Sequence, residues 1–365
     1  MKITGVEPFH ISVPYNYGGP LQKADAIPWR NMETLLVKVT TDEGVTGWGE
    51  GFGFTICATT GHAVTHGIAP LAVGRDPSDI TALVTDIARK QQNCSRNGPV
   101  AFALSALDIA LWDIAGKVAG KPLYKLLGST ETVERMPAYA SLLRYGSVDL
   151  VERHSARAAE EGYVRVKLHE IQTPQVAVAR KVLGPDIKLM VDTNCSWTPD
   201  QAVAMAKEFA PYDLLWLEEP VWPPEDYAAM ARIRKESGVA VAAGECGSTL
   251  ADFMQLIDTG HVDYVQPSVT KIQGLTAMLR VIELARSRGT KVAPHSPYFG
   301  PGLLATMHIS ASMPEKPPIE RFYLTLEASP LGDWVNAKDG HMRIPQGPGL
   351  GVEIDEAVVA KYRVG

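Results

Sequence analysis

Three successive apolar runs each close on an acidic residue at a near-constant interval: Asp192 in KLMVDTN, Glu218 in LLWLEEP and Glu245 in VAVAAGE. About that much chain is needed for one strand, one helix and two loops. The three carboxylates are therefore expected at one end of neighbouring parallel strands, converging on a single point. Three anions gathered there need a cation, and donors that are all oxygen favour Mg²⁺ over softer metals, with Mn²⁺ an acceptable substitute.

The rest of the chain from about residue 130 fits this period. YVRVKLH, IKLMVDT, DLLWLEE, VAVAAGE, VDYVQPS and TKVAPHS read as strands separated by stretches of helical period, with Gly162, Gly184, Gly238, Gly260 and Gly289 placed for left-handed helix ends. At least six such units in series favour a closed barrel. A doubly wound sheet is the alternative, but neither a GxGxxG nor a Walker loop accompanies it. Residues 1–128 read as an α+β unit, with METLLVKV and VTGWGEGF as a hairpin and FALSALDIALWDIAGKVAG as a long apolar helix ending near Pro122 and Gly128. This predicts a capping domain over 1–128 and a barrel domain over 129–329. The tail from about 330 is expected to pack back on the first unit.

A formal charge of −6 and the absence of any Lys/Arg block leave no electrostatic footprint for nucleic acid or an anionic membrane, so the partners expected are small molecules. No uninterrupted apolar run approaches the roughly 18 residues of a membrane span, and MKITGVEPFH lacks a signal core, which together predict a cytoplasmic protein. Cys57, Cys94, Cys195 and Cys246 contain no CxxC pair and suit reduced thiols. Cys195 and Cys246 do fall beside the acidic strand ends, either as ligands or as small residues lining a pocket.

Alternation in YVRVKLH places Tyr163, Arg165, Lys167 and His169 on one face and Val164, Val166 and Leu168 on the other. Lys167 and His169 would then point into the barrel mouth, where each cation disfavours the other and a neutral His or a depressed Lys becomes available as a base. His295, in VAPHSPYFG, ends a later strand and is a candidate for proton chemistry on the opposite side of a substrate. Asn194 either orients a ligand oxygen or is a turn residue after Asp192. Glu218 and Glu219 face opposite ways, so only one can join the cluster, and the spacing favours Glu218.

Taken together, these residues, with SALDIALWDIAGK before the boundary and GPGLGVEI near the end, resemble the enolase superfamily, in its mandelate racemase and muconate lactonizing enzyme branch. The resemblance implies a modified TIM barrel, (β/α)₇β, under an N-terminal α+β cap, with Asp192, Glu218 and Glu245 as Mg²⁺ ligands and Lys or His bases. It implies that Lys167 and His169 occupy the place of a Lys-x-Lys pair and that His295 is the base on the far side. The Asp that supports that histidine in the family is replaced by Ser268, which borders the substrate site, so His295 is expected to be the weaker base for want of a partner. Glu327, in LTLEASP, matches a terminal-strand Glu that binds a substrate carboxylate, with Glu320 as a competitor. Members often form symmetric assemblies, so a homo-oligomer is expected.

Such a member removes the α-proton of a carboxylate substrate to give an enediolate. Dehydration of an acid sugar or hydroxy acid is the leading reading, with racemisation or epimerisation and lactone cycloisomerisation as alternatives. A Schiff-base lyase using Lys167 and a barrel that binds without turnover stand further off. The specificity elements are expected in YNYGGPLQKADAIPW, which carries Lys23 with Arg30 next to it, around GEGFGF, and in YFGPG after His295.

Overall fold

A computed structural model of the chain describes residues 1–24 and 27–364, and the side chains of 22–24 and 27 lie outside the description, Lys23 of the expected specificity loop among them. The N-terminal unit is built on three antiparallel strands, β1 (Ile3–Asn16), β2 (Asn31–Thr41) and β3 (Thr46–Gly51), followed by helical turns over 57–72 and the helices α1 (Ile80–Lys90) and α2 (Pro99–Val118). The packing of α2 on β3 follows directly from sequence. Gly47, Gly49 and Gly51 share one face of β3, and Phe102, Ala106 and Ala110 recur every four residues along α2, so helix and strand meet backbone to backbone. A Cβ on Gly49 would stand 1.8 Å from the Ala106 carbonyl oxygen. α2 has the length and apolarity of a membrane span, contrary to the reading by uninterrupted runs, yet most of it is buried in the core.

Parallel strands and helices then alternate: β4 (Arg135–Ser141), α3 (Val148–Glu160), β5 (Arg165–Leu168), α4 (Thr173–Leu183), β6 (Lys188–Asp192), α5 (Pro199–Phe209), β7 (Leu214–Glu218) and α6 (Tyr227–Ser237). They continue through β8 (Val241–Ala243), α7 (Leu250–Asp258), β9 (Tyr264–Val265), α8 (Leu275–Arg288), β10 (Lys291–Val292), α9 (Pro301–Ser312) and β11 (Ile319–Phe322). The eight strands form one curled parallel sheet in the order β10-β9-β8-β7-β6-β5-β4-β11. Its two ends are linked by the Ser296 N–H, which donates to Glu320 Oε2 at 2.9 Å. Gly162, Gly184, Gly238 and Gly289 have positive φ as expected, whereas at Gly260 the left-handed residue is its neighbour His261.

After β11 the chain returns to the cap, touching the first barrel strand on the way. β12 (Thr325–Leu326) pairs antiparallel with Tyr15 and Asn16 of β1, β13 (His341–Arg343) pairs with β4, and α10 (Glu356–Tyr362) packs on β1. Two distant sequence motifs meet here. Asp113 of α2 accepts the N–H groups of Trp48 at 3.0 Å and Leu350 at 2.8 Å, tying SALDIALWDIAGK to GPGLGVEI.

Inside the barrel Tyr139, Met190, Trp216, Ala242 and Ala293 make a small apolar cluster, while a much larger core lies between strands and helices. The interior cluster decides where the acids point. Met190 and Trp216 face inward, so two residues on, at the same face, Asp192 and Glu218 do too. The register pairs them directly, Asp192 with Glu218. In YVRVKLH the alternation holds only from Arg165, where the strand begins: Val164 is exposed and Tyr163 is buried against Tyr323.

Candidate active site

Oxygen atoms of Asp192, Glu218 and Glu245 lie within 4.8 Å of one another at the C-terminal mouth of the barrel. Asp192 and Glu218 end β6 and β7, and Glu245 follows β8 by two residues. A fourth carboxylate, Glu320 of β11, joins them from across the barrel. It accepts from Ser141 Oγ at 2.8 Å and lies 2.9 Å from Lys167 Nζ. Lys167, with no solvent exposure, also stands 2.5 Å from Glu218 Oε1 and 3.3 Å from Asp192 Oδ2.

This surrounding overturns the expectation of a depressed lysine. Burial pulls the Lys167 ammonium down, but Glu218, Glu320 and Asp192 together outweigh it and hold the group well above its usual value. The neighbours of Lys167 across the sheet are anions, not the imidazole two residues on. A Schiff base needs the neutral amine, so the same three carboxylates argue against a lyase of that kind.

The carboxyls respond in kind. Burial and then the nearby acids raise Glu218, against the pull of Lys167. Glu245 is half-buried, and against the upward push of its removal from water His295 and Lys271 bring it down to about 2. Hard oxygen donors in such a crowd, with one carboxyl driven towards its neutral form by burial and then by its anionic neighbours, fit a divalent ion of the Mg²⁺ class.

His169 lies just past β5. Its Nδ1 donates to the Leu142 carbonyl at 2.5 Å and its Nε2 is 3.2 Å from Asp192 Oδ2. On the other side, His295 Nε2 is 2.8 Å from Glu245 Oε2, while its Nδ1 meets Ser268 Oγ and Tyr298 Oη, each at 3.3 Å. Ser268 does not border the cavity: it is fully buried behind His295, in contact with the Tyr298 hydroxyl. Nor does His295 lack a carboxylate partner, because Glu245 supplies one. Glu327 is also displaced from its expected role. It is exposed at the cap edge and accepts from Tyr362 Oη at 2.7 Å, while Glu320 takes the place at the site. Asn194 sits in a left-handed turn (φ 48°), its N–H donating to Asp192 Oδ1 at 2.9 Å, and its side chain borders the cavity.

A cavity of about 540 Å³ opens above these groups, bordered by His169, Glu245, Lys271, His295 and Glu320 from the barrel. Lys167, Asp192 and Glu218 lie behind its floor. The cap contributes Trp29, Phe52 and Phe54, and the loop after β10 contributes Tyr298 and Phe299, so the three expected specificity segments do meet here. Trp29 packs edge-on to Phe54 and stacks on Phe322, giving one apolar wall. The cations at the cavity are Arg144 and Lys271 among the described residues, with Arg30 outside it. Sequence reasoning missed Arg144 and did not single out Glu50 or Tyr298 within their segments. Glu50, on β3, is buried at the cavity and accepts the Gly302 N–H at 2.8 Å; burial pushes its carboxyl up to about 8. Its signal was faint, a single acid among the glycines of GWGEGF.

Residues 17–128 match the family described as mandelate racemase / muconate lactonizing enzyme, N-terminal domain, and residues 149–358 match the one described as enolase C-terminal domain-like. The chain is 30% identical to D-galactarolactone cycloisomerase of Agrobacterium fabrum, covering 100% of this chain and 99% of that protein. It is 30% identical to D-galactonate dehydratase of Ralstonia pickettii, covering 89% of this chain and 90% of the other. The crystal structure of a racemase from Streptomyces coelicolor with bound magnesium superposes with a TM-score of 0.88 at 28% identity, covering 99% of this chain and all of that one.

Proposed function

Because the chain belongs to the mandelate racemase/muconate lactonizing enzyme family of the enolase superfamily, we propose that it removes the α-proton of a small carboxylate substrate and then dehydrates it, the substrate being an acid sugar or related hydroxy acid. The observation that carries this reading is one cavity bordered by His169 on the β5 side and His295 on the β10 side, with Lys167 and the acid cluster directly behind its floor. Asp192, Glu218 and Glu245 would hold Mg²⁺. When bound, that ion supplies Lewis-acid polarisation of the substrate carboxylate and offsets the negative charge that keeps the Lys167 proton in place.

The remaining roles fall to side chains. Lys167 and His295 exchange protons with opposite faces of the α-carbon, His295 also serving as the acid for a departing β-hydroxyl. Tyr298 and Ser268 fix the ring of His295 through Nδ1, so that Nε2 is the nitrogen directed at the Glu245 side. Glu320 receives one N–H from Ser296 and faces the cavity as a polar anchor for substrate hydroxyls. The aromatic wall excludes water from the reacting carbon.

Lactone cycloisomerisation is the second reading, favoured by the cycloisomerase relative that matches from end to end. Incubating the Mg²⁺-loaded protein with a library of acid sugars and their lactones in D₂O separates them. Keto-acid formation supports dehydration, deuterium uptake with ring opening supports cycloisomerisation, and uptake with inversion alone points to an epimerase. No exchange with any carboxylate would sink the proposal.

A further inference from the structure

Glu218 and Glu219 are sequence neighbours that serve different surroundings. Glu218 turns to Lys167 and Asp192. Glu219 is buried and has φ 40°, and its Oε1 accepts the Gly244 N–H at 2.8 Å. Its other oxygen, Oε2, is 3.7 Å from the Sγ of Cys195. Cys246 completes the group: the two sulfurs and a Glu219 oxygen all lie within 4.8 Å of one another. The backbone is shaped for this meeting, since Asn194 and Cys195 also have positive φ (48° and 56°) and the Cys195 N–H donates to the Glu219 carbonyl at 2.7 Å.

We propose that Cys195, Cys246 and Glu219 form a binding site for a thiophilic divalent cation of the zinc class, separate from the oxygen-only set of Asp192, Glu218 and Glu245. A tetrahedral zinc with bonds of about 2.3 Å to sulfur and 2.0–2.2 Å to oxygen holds its ligand atoms roughly 3.5–3.8 Å apart. The observed 3.7 Å contact falls in that range, and the 4.8 Å limit needs only a side-chain adjustment. Glu219 and Cys246 border a cleft of about 190 Å³ that leaves room for a water as the fourth ligand. Its lining favours a cation: Glu219, Glu225 and Asp252 stand there against Arg96. Ligand softness sorts the two sites, thiolates selecting zinc-like ions and carboxylates Mg²⁺. Binding displaces both thiol protons to the solvent, leaving two thiolates and one carboxylate on the ion. The ion would tie together the loops that follow β6, β7 and β8, the three strands that present the acid cluster.

The test uses the full chain in excess Mg²⁺, titrated with Co²⁺. A near-ultraviolet thiolate-to-cobalt absorption saturating at one equivalent is expected, a signature that carboxylates cannot produce and that does not depend on turnover. Cys195→Ser and Cys246→Ser should each at least halve its intensity per bound ion and weaken Zn²⁺ binding by at least about tenfold, as loss of even an outer-shell partner can. Asp192→Asn should leave it intact. In the unaltered protein, Zn²⁺ should also shield the exposed Cys246 from alkylation, read by peptide mass, which covers the case of serine variants that do not fold. No such absorption, its persistence at full intensity in both serine variants, or alkylation of Cys246 unaffected by Zn²⁺ would overturn the proposal.

Discussion

His295 Nε2 stands 2.8 Å from Oε2 of Glu245, so a candidate base and a candidate metal ligand share a direct contact. A histidine that matched a family Asp–His pair is here gripped at both nitrogens by a different set, with Glu245 on one side and Ser268 and Tyr298 on the other. His295→Asn is therefore expected to lower turnover by about 10²–10⁴-fold while Mg²⁺ affinity, measured by calorimetry, persists. Tyr298→Phe keeps the ring and removes one grip on Nδ1. Its α-proton exchange rate should fall roughly tenfold through kcat with KM unchanged. A change confined to KM would refute the positioning role.

Mg²⁺ should stabilise the fold by mass action. At a free concentration a hundred times its Kd the gain is about 2.7 kcal/mol, removed by a chelator and read from urea unfolding. Asp192→Asn should abolish that gain. Equal stabilisation of the variant would place the ion elsewhere.

Among the described residues, Lys167 is the sole ammonium amid three carboxylates with which it makes ion pairs, all at 1% exposure or less. Lys167→Met should destabilise the metal-free protein by about 3–5 kcal/mol, since it strands buried charges. Saturating Mg²⁺ should restore part of the loss, whereas deuterium exchange into substrate should stay absent. Unfolding curves with and without Mg²⁺ check the first statement, and proton NMR the second.

Legibility followed the range of the interaction. Asp192, Glu218 and Glu245 could be found because a strand–helix period is local, and strand alternation fixed their direction. Glu320 and Glu327 could not be told apart, because each follows a short apolar stretch. Only the pairing of Glu320 with Tyr139 on β4, and of Leu326 with Tyr15 on β1, separates a barrel strand from a cap strand. The charge state of Lys167 was misjudged for a similar reason: its partners lie 25, 51 and 153 residues away along the chain. Tyr298 follows His295 by three residues, but its contact with Ser268 depends on how two loops are packed.

The meeting of β3 and α2 tolerates no side chain. Gly49→Ala would put a methyl group into the Ala106 carbonyl, and a loss of about 3 kcal/mol or more is expected as the strand or helix shifts. Differential scanning calorimetry should show an earlier transition. An unchanged one would mean that the cap yields freely.

His308 supplies the cleanest pH effect. It is fully buried, with Nε2 donating to the Leu350 carbonyl at 3.1 Å and Nδ1 facing the Tyr124 N–H at 3.3 Å, and burial brings its imidazole down from 6.5 to about 4. The unfolded chain thus takes up this proton first. Stability from this group is complete above pH 6.5 and is lost as pH falls towards 4, by about 3 kcal/mol in all. His308→Gln should flatten that part of the curve when chemical denaturation is followed between pH 8 and 4. A variant that declines as steeply as the parent would remove His308 from the account.

The return of Thr325–Leu326 and Glu356–Tyr362 to β1 means that a strand preceding the barrel is finished by segments that follow it. During synthesis on the ribosome, the cap sheet must wait with an unpaired edge until residues 325–326 have emerged. A release of the chain just after residue 322 would therefore leave every barrel strand made but the cover open.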